Sequence, residues 1–116
     1  MVIVSIKDGD LKLHIEGVHK ALALRNEIVV PLKHVRGVTA DPGVSAMPRG
    51  LRAPGTSIPG HLYAGTFYHE GEKVFWDVHN FAKAIVIELT DEDFKRLVVE
   101  VEDPDEVVSM IELAIA

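Results

Sequence analysis

Apolar and polar residues alternate along much of this chain, and the period is two. In DLKLHIE, residues 10–16, Leu11, Leu13 and Ile15 fall to one side and Lys12, His14 and Glu16 to the other. That is a strand with one dry and one wet face. VIVSIK at 2–7 precedes it across Asp8-Gly9, a two-residue hairpin signal. A short segment at 17–24 places Val18, Ala21 and Leu22 at helical spacing; it is too short to stand alone and reads as a flank to a sheet. EIVVP at 27–31 is the next strand, ended by Pro31, and 33–40 continues as KHVRGVTA with a bend at Gly37.

The stretch from Leu62 to His79 predicts a second hairpin, turning at Glu70-Gly71. Facing pairs then run from His69/Glu72 and Tyr68/Lys73 through Phe67/Val74, Thr66/Phe75, Gly65/Trp76, Ala64/Asp77 and Tyr63/Val78 to Leu62/His79. One face becomes Tyr63, Gly65, Phe67, Val74, Trp76 and Val78, nearly all apolar, and is assigned to the core. Gly65 opposite Trp76 leaves a gap that the indole covers. The other face, with Leu62, Ala64, Thr66, Tyr68, Lys73, Phe75, Asp77 and His79, is mixed. It reads as a surface whose aromatics, Tyr68 and Phe75, are covered by another element, a partner or a second copy of the chain.

Downstream, AIVIEL at 84–89 is a strand, Thr90 to Asp93 reads as a capped helical turn, and Leu97, Val99 and Val101 form the inward side of a last strand with Glu100 and Glu102 outward. The chain closes on a helix over 103–115. Asp103 is its N-cap, Pro104 its first residue and Glu106 the third position of a capping box. Val107, Met110, Ile111 and Ala114 make its core-facing stripe. The whole is one domain, residues 1–116, mainly β, with about seven antiparallel strands closed as a barrel or orthogonal sandwich and capped by the C-terminal helix.

Between Asp41 and Gly60 the pattern breaks: four of the six Pro and four of the nine Gly fall there. This predicts a long loop, and long ordered loops are often functional. Arg49 and Arg52 make 48–60 a candidate for binding an anion or lipid head group through backbone N–H groups and guanidinium forks, although no phosphate-binding glycine motif accompanies them.

Charge and composition narrow the field. Residues 1–60 carry eight Lys/Arg against five Asp/Glu, and 61–116 carry four against thirteen, for a net charge of -6. The acidic total opposes nucleic-acid binding. It also opposes attachment to a membrane surface, as does the lack of a basic amphipathic helix. The opening MVIVSIKDGD reads as a strand, not a leader. Without cysteine there is no disulfide or thiolate chemistry, which fits a cytoplasmic protein.

Candidate chemistry is sparse. Asp77 and His79, two apart on one strand, would suit a carboxylate orienting an imidazole, the core of a small histidine-based enzyme, but no nucleophile is tied to them. A metal-binding alternative would use His61, His69 and His79. The first two lie eight residues apart on one strand, about 27 Å at about 3.4 Å per residue, so they cannot share an ion. No catalytic residue, metal ligand or cofactor is assigned. Arg49, Arg52, Tyr68, Phe75, Asp77 and His79 remain as binding candidates.

Several stretches carry a resemblance. LALR at 22–25, EIVVPLKHV at 27–35, LRAPGT at 51–56, AGTF at 64–67, VFWDVH at 74–79, AIVIEL at 84–89 and RLVVEVEDP at 96–104 together resemble a family of small, stand-alone bacterial proteins with a pleckstrin-homology-like (PH-like) domain. LRAPGT and VFWDVH are the most specific pieces. The resemblance covers nearly the whole chain and implies a PH-like barrel with no catalytic or ligand residue to carry over. The wider superfold binds phosphoinositides, peptides and proteins, and bacterial members form homo-oligomeric rings. Phosphoinositide binders use a basic loop between the first strands, where this chain has Lys7-Asp8-Gly9-Asp10. The expectation is therefore a non-enzymatic module that binds another protein or itself, as a homo-oligomer.

Overall fold

The computed structural model describes residues 1–16, 27–40, 51–58, 62–69 and 71–116. Strands β1 (Val2–Lys7) and β2 (Asp10–Ile15) form the first hairpin, from Val2 opposite Ile15 to Lys7 opposite Asp10. Its turn residues Asp8 and Gly9 have φ of 53 and 81. Both are positive, as a two-residue turn matching strand twist requires. β3 (Glu27–Pro31) adds antiparallel to β2 and completes a three-stranded sheet in the order β1-β2-β3. Leu11, Leu13 and Ile15 are fully buried and His14 is exposed, as the alternation predicts. The segment at 17–24 lies outside the described residues.

A 3-10 turn at Leu32–His34 leads into β4 (Val35–Ala40), whose ladder shifts register between Val35 and Gly37. The second sheet continues with β5 (Leu51–Ile58), β6 (Leu62–His69), β7 (Glu72–Val78), β8 (Ala84–Leu89) and β9 (Arg96–Glu100), in the order β4-β8-β9-β7-β6-β5. β5 corrects the expectation of an unbroken loop to residue 60. Its Pro54 falls inside a register shift between Arg52 and Gly55, on the outermost strand of the sheet. A proline has no N–H to give a ladder and is tolerated at an edge or a bulge.

The hairpin of β6 and β7 has the predicted register at each paired position, from Tyr63 opposite Val78 to His69 opposite Glu72. The first face is buried at its described residues, as expected, and the mixed face differs from expectation in burying Ala64, Phe75 and Asp77. Both faces contribute buried residues, and Tyr68 and His79 on the second stay exposed. Ala64 and Phe75 join Leu97, Val99, Ile85, Ile87 and Leu89 in the main core, with Leu11, Leu13 and Ile15 of the three-stranded sheet. Phe67, Val74, Trp76 and Val78 form a second cluster on the other face with Ala84, Val86 and Val98. Strands buried on both sides carry continuous apolar runs in place of alternation, and VFW, AIVI and LVV are such runs.

A further correction concerns direction. β9 runs antiparallel to β8 but parallel to β7, with Val74 opposite Arg96 and Asp77 opposite Val99. It fills the slot between β7 and β8, so the connection at 79–83 crosses two strand spacings, about 10 Å. A 3-10 turn at Phe81–Lys83 lies within it. Among the described residues there are thus nine strands in two sheets, and no closed barrel is seen.

The C-terminal helix α1 (Pro104–Ile115) begins as its sequence predicts: Asp103 Oδ1 accepts the Glu106 N–H at 3.2 Å, and Pro104 stands in the first turn. It packs mainly on β4. Its inward stripe keeps Val107 and Ile111 of the expected one and is rotated slightly about them. Ile111 is buried and Val107, Val108 and Ile115 pack on the core, while Ala114 is exposed.

Candidate functional site

Of the six binding candidates, the four whose side chains are described do not gather. Arg49 lies outside the described residues, and Arg52 occupies a β5 position opposite Phe67. Tyr68 is 42% exposed near the end of β6. Phe75 and Asp77 are both 0% exposed, so neither belongs to an outer surface. His79 is exposed just beyond β7. The Asp77–His79 pair therefore offers only the imidazole to solvent. The Asp77 carboxylate lies in the interior, with Oδ2 3.7 Å from the Met1 α-amino nitrogen. Of the histidines considered for a metal, His61 is outside the described residues, and no group of three or more His, Asp or Glu among those described is arranged to hold an ion.

The concavity of note is at the end of the β6–β7 hairpin. A groove of about 440 Å³ is lined by Tyr68, Gly71, Glu72 and Lys73 on the hairpin side and by Leu89 to Asp93 with Lys95 on the other. Its far wall was expected to be a helical turn. The observed backbone is a series of bends, with Asp91 at φ 57. Asp is one of the few side chains that enter this left-handed region at modest cost.

That wall is held at both ends. The Thr90 N–H donates to the His34 carbonyl at 2.9 Å, and His34 Nδ1 meets Glu92 Oε2 at 2.5 Å. On the hairpin side the Lys95 N–H donates to the Lys73 carbonyl at 2.7 Å, and the Lys73 ammonium pairs with the Asp93 carboxylate. Lys73 Nζ also stands 4.9 Å from the centroid of the Phe94 ring. Phe94 is nearly buried and meets Phe75 edge-on, centroids 5.8 Å apart. Of the covers considered for Phe75, another element of the chain is the one found: Phe94 meets it edge-on in the main core, with Lys73 over the Phe94 ring.

Several of the charges around the groove are paired within the fold. Arg96 Nη2 donates to Glu72 Oε1 at 2.8 Å, and its Nε lies 3.9 Å from Glu88 Oε2. Lys73, Asp93, Phe94 and Glu92 were not singled out by their sequence. The run Thr90-Asp91-Glu92-Asp93 imitates a helix start, and the signal against one is that no apolar repeat at helical spacing follows it.

Glu100 was expected to point to water. It is 6% exposed, and its Oε1 accepts the backbone N–H groups of His79 at 2.8 Å and Asn80 at 2.9 Å. The carboxylate anchors the crossover where it passes over the end of β9.

Among the described residues no helix is long and apolar enough to cross a membrane. The chain matches no family model, and no curated protein or solved structure matches it significantly.

Proposed function

We propose that this chain is a PH-like, non-catalytic binding module of the cytoplasm that docks a protein partner or a second copy of itself at the groove beside Tyr68. The mainly β, two-sheet arrangement with its C-terminal helix supports the PH-like part of this reading. One observation carries the binding part: Tyr68 presents 42% of its surface at the rim of the groove, beside Glu72, Lys73, Glu92 and Asp93, which are engaged in pairs within the fold. A rim with one amphipathic aromatic suits contact with a protein, since tyrosine buries a large area at low entropic cost and keeps a polar tip. Phe75, first considered for this role, is replaced by the groove because it is core.

The test is molar mass by light scattering across a concentration series, together with affinity capture on the wild-type chain and on Tyr68→Ala. A defined oligomer, or a captured partner, that is lost in Tyr68→Ala supports the reading. A wild-type chain that stays monomeric at high concentration and captures nothing overturns it.

A further inference from the structure

We draw no further inference here: the strongest candidate, the outer face of the three-stranded sheet where Ile3 and Val29 stand exposed with β2 between them, carries nothing because nothing in the structure shows what covers it.

Discussion

Trp76 lies directly opposite Gly65 across β6 and β7, and Gly65 in turn lies opposite Gly55 on β5. The indole is 1% exposed and meets Phe67 edge-on, centroids 6.3 Å apart. Gly65 has φ 130, a conformation that side chains avoid. Gly65→Ala is expected to destabilise the fold by about 1–3 kcal/mol through backbone strain. Trp76→Ala costs about 3–5 kcal/mol by emptying the second cluster. Urea unfolding midpoints check both, and a Gly65→Ala midpoint equal to wild type would contradict the strain.

Tyr68 and Phe75, once placed together, should now separate. Phe75→Ala is expected to cost about 3–5 kcal/mol, because the side chain is fully buried. Tyr68→Ala should change stability far less, by about 0.5 kcal/mol. Equal losses in thermal or urea unfolding would return both residues to one environment.

The aromatic plug and the ion pair above it differ in weight. Asp93 is 75% exposed, so its pairing with Lys73 is screened by water. Asp93→Asn is expected to cost under about 1 kcal/mol. Phe94→Ala, which opens the end of the core, should cost about 3 kcal/mol. If raising the salt concentration destabilised the protein as much as Phe94→Ala does, the ion pair would be the main fastening.

Glu100 can be tested by its geometry. Glu100→Ala removes the acceptor of two backbone N–H groups and is expected to cost about 2 kcal/mol. Glu100→Gln keeps an oxygen in place and should recover much of that loss. Hydrogen exchange at the His79 and Asn80 amides reads the local effect, and unchanged protection in Glu100→Ala would refute the anchoring role.

At α1, Asp103→Ala should lower stability by about 1 kcal/mol, while Asp103→Asn, an equally good cap, should stay near wild type. Helical circular dichroism and the unfolding midpoint distinguish the two.

Local chemistry was legible in the sequence where it alone decides the outcome. Asp8-Gly9, the register of the 62–79 hairpin and the Asp103 cap each depend on residues close along the chain, and each appears as expected. The failures share a cause. Pro54 looks like loop until its strand is known to be an edge. Glu100 looks solvated until a crossover passes over it. Phe75 has a cover the sequence leaves open among three until Phe94, far along the chain, supplies it. In each case a distant strand sets the environment, and a period-two pattern gives side-chain alternation without saying how many faces are covered.

β9 sits in the middle of its sheet, although no other strand lies further along the sequence. Without it, β4 and β8 form one ribbon and β5, β6 and β7 another, with no ladder between them. A chain made from its N-terminus therefore holds two half-sheets with apolar inner edges until residue 100 emerges. Unpaired edges are where chains join one another in error. Slow synthesis or weakened docking of β9 should thus yield aggregates, not a smaller folded domain.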